Sequence, residues 1–291
     1  MYVEEYCEYL KKEKDMALNT IEAYRRDVLE FGNFMEKRAS RKLEEGTETD
    51  MVAYMLELKD GDKSSATINR KLASLRAFYN FMLEKNLVKL NPTAGIKSPK
   101  IERKQVDYLS KEEVNQLLEL EVETNRGKRN RAILETMYAT GLRAKEVIEI
   151  DVNDVNLKIG FLSCDGNHGK ARVIPLGKLA RQALQSYVED VRKDTAKENE
   201  QALFLNYHGE RMTRQGLWKI LKECGEKAGL KRPMTPNILR NSFAIHMIQN
   251  GADIKSMQEL LGHEDLASTQ IYEEFVRAKI KDVYDNTHPR A

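Results

Sequence analysis

The 291-residue sequence has no run of about 18 apolar residues, the length that a membrane-crossing helix requires. Its opening stretch, MYVEEYCEYLKKEKD, is acidic and polar where a signal peptide would be basic and then apolar, so a cytoplasmic protein is expected. Cysteine is scarce. Cys7, Cys164 and Cys224 are odd in number, far apart and in no C-x-x-C spacing, which argues against a disulfide framework and a cysteine zinc site and leaves reduced thiols as the expectation. The five histidines, His168, His208, His246, His263 and His288, lack metal-site spacing. There is also no H-E-x-x-H, no phosphate-binding glycine loop and no acidic cluster suited to magnesium, so neither cofactor nor metal is expected.

What is present describes a soluble globular chain: 41% hydrophobic residues offset the ordering of a chain that is 32% charged. Its length suits two domains, because single cores stop growing near this size. The net charge of +2 hides an asymmetry. Between residues 63 and 104, Lys63, Arg70, Lys71, Arg76, Lys85, Lys89, Lys97, Lys100, Arg103 and Lys104 face only Glu84 and Glu102. Such an excess points to a polyanion as partner; a solvated helix face running into a basic linker is the alternative reading.

Hydrophobic spacing predicts a first domain, residues 1–90, made of four helices. ALNTIEAYRRDVLEFGNFM sets Ile21, Tyr24, Val28, Phe31 and Met35 at helical intervals, and SSATINRKLASLRAFYNFMLEKN does the same with Ile68, Leu72, Leu75, Phe78 and Met82. Asn19 and Ser64 to Thr67 are the expected caps, shorter helices fall near 2–12 and 48–58, and the fourth helix is expected to be basic on its outer face. Residues 91–108, with two prolines, a glycine and several lysines but no apolar period, read as a basic linker.

A second domain is expected over 109–291, mainly helical with one small hairpin. Ser110 and Glu113 form a capping box, and Gly141 supplies a left-handed stop to the helices that follow. GFLSC and ARVIPLG flank DGNHG, a turn-rich hairpin tip, and helices resume from Lys178. Thr235 is the expected cap of TPNILRNSF, with Pro236 at its first helical position.

Four fragments carry the chemistry: TGLRAKEV around Arg143, the hairpin tip DGNHGKAR, TPNILRN around Arg240, and LGHEDLASTQIY ending at Tyr272. Each alone has an ordinary explanation, a solvated arginine, a hydrogen-bonded histidine or a packed tyrosine. In this order and spacing, over nearly the whole chain, they resemble the tyrosine recombinases of the Xer and phage-integrase type. The resemblance implies an N-terminal core-binding, SAM-like four-helix domain and a helical catalytic domain.

It also implies a site-specific recombinase that cleaves and rejoins DNA through a 3′-phosphotyrosyl intermediate. A phenol can store the cleaved strand covalently, and fixed guanidiniums stabilise the charge gained at phosphorus. The resemblance assigns Tyr272 as nucleophile, Arg143 and Arg240 as the phosphate-holding pair, His263 as a phosphate hydrogen-bonder and Glu146 as an orienting residue. Double-stranded DNA is the implied partner, with Arg70, Lys71, Arg76, Lys97, Lys100, Arg103 and Lys104 as candidate contacts. A homo- or hetero-oligomer, a tetramer on paired sites, is implied as the working assembly. VRAKIKDVYDN, with Ile280, Val283 and Tyr284 at helical spacing, either docks on a neighbouring protomer or folds back on its own domain.

The hairpin tip and the helix start depart from the pattern. A gapless count from Arg143 to Pro175 puts Asn167 where the family carries its hairpin lysine, the general acid toward the leaving hydroxyl. Asn237 and Asn241 stand where the family's helix start reads His-x-x-Arg-His. An amide hydrogen-bonds but transfers no proton near neutral pH. His168 and Lys170, on the same hairpin, are candidate substitute donors. Attenuated recombinase and DNA-binding accessory protein therefore both stand as readings of the sequence, with a relaxing topoisomerase behind them.

Overall fold

The computed structural model describes residues 2–100, 105–165, 171–262, Tyr272, Phe275 and Val276. The chain divides into two compact units, Met1–Lys104 and Gln105–Ala291.

The first unit is built on helices α1 (Tyr2–Lys12), α2 (Leu18–Ala39), α3 (Glu48–Asp60) and α4 (Ser65–Glu84). The helical stripe of α4 is buried in full, and Ile21, Val28, Phe31 and Met35 of α2 pack against it around Tyr6, Met51 and Tyr54. Ser64 caps α4 by accepting the Thr67 N–H at 3.2 Å. The expected cap at Asn19 is corrected: α2 starts at Leu18 behind Ala17, without a side-chain cap bond. The Met16 N–H is already tied to the Leu10 carbonyl, so the short connection from α1 turns the chain into α2 before Asn19 is reached.

Lys71 is a second correction. It does not lie on the outer face of α4 but is 4% exposed, with its ammonium between Asp27 (3.1 Å) and Glu30. Arg70 also binds Asp27, which is wholly buried, and the Ser74 hydroxyl adds a bond at 3.1 Å. A buried carboxylate must be paired, and α4 supplies those partners. Arg76 donates to the Ile96 carbonyl and, at 3.3 Å, to Ser98 Oγ, while Asn69 donates to the Pro99 carbonyl at 2.9 Å. These bonds lay residues 96–99 along α4. Lys97 and Lys100 are exposed, and Arg103 and Lys104 lie outside the described residues.

The second unit contains α5 (Lys111–Leu118), α6 (Asn125–Thr140) and α7 (Ala144–Glu149). A three-stranded antiparallel sheet follows, in the order β1 (Val155–Asn156), β2 (Phe161–Asp165), β3 (Ala171–Pro175). The β2–β3 hairpin is the expected one; its register pairs Cys164 with Arg172, and β1 is an addition the sequence pattern did not reveal. Then come α8 (Lys178–Tyr187), continued through a π-helical turn at 188–192 into α9 (Lys193–Thr195), and α10 (Arg214–Lys227), α11 (Pro236–Gln249) and α12 (Ile254–Leu261). The Ser110 capping box is present, with Ser110 N donating to Glu113 Oε2 at 2.8 Å and Glu113 N to Ser110 Oγ at 3.2 Å. Asn167, His168 and Lys170 at the hairpin tip, His263 and the segment with Ile280, Val283 and Tyr284 lie outside the described residues. Among the described residues no helix is long and apolar enough to cross a membrane.

Candidate active site

The site begins at a chain reversal. Helix α6 ends at Thr140, and Gly141 follows with φ +61° in the left-handed region. A Cβ there would lie 2.4 Å from Phe243 Cδ1 and 2.8 Å from Leu261, so only glycine permits this approach. The turn delivers Arg143 to the start of α7. Its backbone N–H donates to Glu146 Oε2 at 2.6 Å and its Nη1 to Glu146 Oε1 at 3.1 Å.

Arg240 comes from the second turn of α11. Thr235 Oγ1 accepts the Ile238 N–H at 3.3 Å to start this helix, and Pro236 occupies its first turn. Arg240 is 6% exposed, and its guanidinium donates to the Gly141 carbonyl at 2.5 Å and the Leu261 carbonyl at 2.7 Å.

Arg172, on the inward face of β3, is the residue that reasoning from sequence missed. Its Nη1 and Nη2 grip Glu146 at 2.9 and 3.0 Å, and its Nε donates to the Leu260 carbonyl at 2.9 Å. The signal was there: in ARVIP an arginine shares its strand face with buried Ile174, which an alternating strand permits only where a buried partner awaits.

Three arginines thus meet at the end of α12. Arg172 holds the carbonyl of Leu260, Arg240 that of Leu261 and Arg143, at 3.2 Å, that of Gly262. The last carbonyls of a helix have no partner within it and carry the negative end of its dipole, so they attract cations. Gly262 has φ +61°, and a Cβ there would lie 2.8 Å from Arg172 Nη1. Glu146 lies at the centre of the three, 3.9 Å from Arg240 Nη1. Burial pushes its carboxyl up, but the bonds from Arg172 and the Arg143 backbone outweigh this and hold it below the ordinary glutamate value. Burial, aided by the charge of Arg143, pulls Arg240 down to about 10, which leaves it cationic at neutral pH. Three guanidiniums around one carboxylate make an anion site, and Arg143, with its side chain 34% exposed, is its open member.

Tyr272 belongs to a buried cluster with Phe243, Ala244 and Leu261 and is 1% exposed. Its hydroxyl donates to Asn241 Oδ1 at 2.9 Å, one residue beyond Arg240. Burial pushes the phenol above its ordinary pKa, and the charge of Arg240 offsets part of the rise. Asn237 is exposed and lines a groove together with Thr235, Asn241, Asp107 and Arg232. The structure therefore brings Arg143, Arg240, Glu146 and Tyr272 to one region of the second unit, while Arg70, Lys71, Arg76, Lys97 and Lys100 belong to the first.

Comparison with known proteins places the whole chain in one family. Residues 107–277 match the phage integrase family, and residues 3–86 match the phage integrase N-terminal SAM-like domain. The chain belongs to the phage integrase family. This tyrosine recombinase homologue is 40% identical to the tyrosine recombinase XerD of Oceanobacillus iheyensis, over 99% of this chain and 98% of that protein. It is 44% identical to a putative tyrosine recombinase of Caldanaerobacter subterraneus subsp. tengcongensis over the same shares. Among solved structures, XerA recombinase aligns with 27% identity and a TM-score of 0.56, covering 100% of this chain and 99% of that one. XerH site-specific recombinase, in a post-cleavage complex with a palindromic difH substrate, shares the fold at 23% identity and a TM-score of 0.77, covering 97% of this chain and 82% of that one. The recombinase is thus Xer-like along its whole length.

Proposed function

We propose that the recombinase cleaves and rejoins duplex DNA at a specific site by attack of Tyr272 on a backbone phosphorus, with Arg143 and Arg240 on the non-bridging oxygens. The observation that carries this reading is the three-arginine cluster around Glu146 and the end of α12, with Tyr272 hydrogen-bonded to the neighbour of Arg240. Guanidiniums fixed before the substrate arrives stabilise charge as it develops, with little reorganisation. Glu146 and Arg172 orient the pair, and His263 adds a hydrogen bond to the phosphate. XerH site-specific recombinase, bound to a palindromic difH substrate in a post-cleavage complex, supports the choice of DNA as substrate; an assembly on paired sites is part of the same proposal.

Asn167 and Asn237 attenuate this chemistry. Proton transfer by a positioned acid or base supplies roughly 10²- to 10⁴-fold in rate, and neither amide offers it. Lys170 or His168 on the same hairpin takes over the protonation of the leaving 5′ oxygen; replacing the operative one by alanine lowers single-turnover cleavage about 10²-fold, whereas loss of neither residue slowing cleavage contradicts the substitution. The two asparagines also support a second reading, a DNA-binding accessory protein with little catalysis of its own.

Nicked duplexes carrying candidate sites separate the readings. An active recombinase leaves a protein–DNA adduct on a denaturing gel that Tyr272→Phe abolishes. Salt-sensitive binding without any adduct from the unaltered protein favours the accessory reading.

A further inference from the structure

We infer that Asn241 is a positioning residue for Tyr272: anchored through its amide nitrogen on the Asp107 carbonyl, it aims its amide oxygen at the phenol and fixes the hydroxyl as a donor. This rests on the reading of Tyr272 as the nucleophile.

The residue before Asn241, Arg240, is tied to the carbonyls of Gly141 and Leu261. Its side chain makes two hydrogen bonds of opposite sense. Nδ2 donates to the Asp107 carbonyl at 2.9 Å, and Oδ1 accepts from Tyr272 at 2.9 Å. A carbonyl only accepts, so the Asp107 contact dictates which end of the amide faces it and leaves the oxygen for the phenol. The phenol must then donate. With its torsion set by that bond, its proton is held by a group that cannot take it away.

A second contact secures the backbone behind the phenol. The N–H groups of Phe275 and Val276 donate to the Tyr272 carbonyl at 3.1 and 3.2 Å. The Phe275 ring meets Tyr108 edge-on, with centroids 5.5 Å apart and an interplanar angle of 87°. Asp107 and Tyr108, adjacent in sequence, thus contact both the partner of the hydroxyl and Phe275, whose N–H reaches the Tyr272 carbonyl. The side chain required at 241 has a donor on one side and an acceptor on the other. Leucine has the size and neither function, whereas a neutral imidazole has both.

Two variants test this, Asn241→Leu and Asn241→His, in the full chain labelled with 13C at tyrosine Cζ and with the Tyr272 resonance identified by its loss in Tyr272→Phe. The expected result is a displaced Tyr272 resonance in Asn241→Leu, with that of Tyr187, buried in the larger core cluster of the second unit, unmoved as a check on folding, and a return toward the original position in Asn241→His. On nicked DNA, Asn241→Leu is expected to form adduct about tenfold more slowly at unchanged DNA affinity, the effect of removing one neutral hydrogen bond, and Asn241→His to recover most of it. A Tyr272 resonance that coincides in Asn241→Leu and the unaltered protein overturns the inference, as does an unchanged adduct rate. If the unaltered protein forms no adduct, the nucleophile reading falls by itself, and a coincident or displaced resonance still decides whether Asn241 holds the phenol.

Discussion

Glu146 shows why the site needs more than its two obvious arginines. One carboxylate with 7% of its side chain exposed accepts from Arg143 and Arg172 and stands 3.9 Å from Arg240, so it fixes the separation of like charges that would otherwise repel. Replacing it by glutamine should cost about 2 kcal/mol of stability at neutral pH, read by urea unfolding, because buried guanidiniums lose their countercharge. The sign of the pH effect follows from its depressed folded pKa. The carboxylate stabilises the fold above its unfolded value, near the ordinary glutamate value of 4.5, and loses that contribution as pH falls through the folded one. The gap between the protein and Glu146→Gln should therefore narrow below about pH 4; a gap constant from about pH 7 to about pH 3 would contradict the assignment. Arg143, Arg240 and Tyr272 could be singled out in the sequence because the fragments that carry them resemble those of one family. Arg172 offered only the alternation of its strand; its partner depends on a register that sets it opposite Cys164 and on a fold that brings it to Glu146. Lys71 was misread for a related reason. A lysine in a basic helix reads as solvated until its facing residue, here Asp27 on α2, is known.

Helix ends do the positioning. Gly141 closes α6, Gly262 closes α12, and Thr235 opens α11, so Arg143 and Arg240 answer to helix ends, while Arg172 is placed by the register of β3. Gly141→Ala combines a left-handed backbone with a clash against Phe243 and should destabilise the protein by about 2 kcal/mol or more, measured by thermal or urea unfolding. Thr235→Ala removes one cap bond and should cost about 1 kcal/mol. In the first unit, Lys71→Ala strips a partner from wholly buried Asp27 and should cost about 3 kcal/mol while leaving the salt dependence of DNA binding unchanged. A stable variant with weakened DNA binding would restore Lys71 to the outer surface. Caps at Ser64, Ser110 and Thr235 were readable because their chemistry is local. The start of α2 was not, because it is set by how α1 ends.

At the scale of the molecule, the chain forms two units, each with its own core. The arginine cluster and Tyr272 lie in the second, and the exposed Lys97 and Lys100 at the end of the first. DNA affinity should fall steeply with salt, and the double variant Lys97→Ala, Lys100→Ala should flatten the log–log slope by up to about two, one for each phosphate that is no longer neutralised. The division into two helical units and the hairpin were legible because periodicity and turn residues report them; the convergence of Arg143, Arg172 and Arg240 on three successive carbonyls was not, because residues distant in sequence meet only on folding. The central claim is that Tyr272 becomes covalently joined to DNA. Its most direct test is mass spectrometry of the peptide left on DNA after trapping with a nicked site and digestion with protease and nuclease. A 3′-phosphonucleotide on Tyr272 is the result expected, and the same modification on any other residue, or none while DNA remains bound, would contradict it.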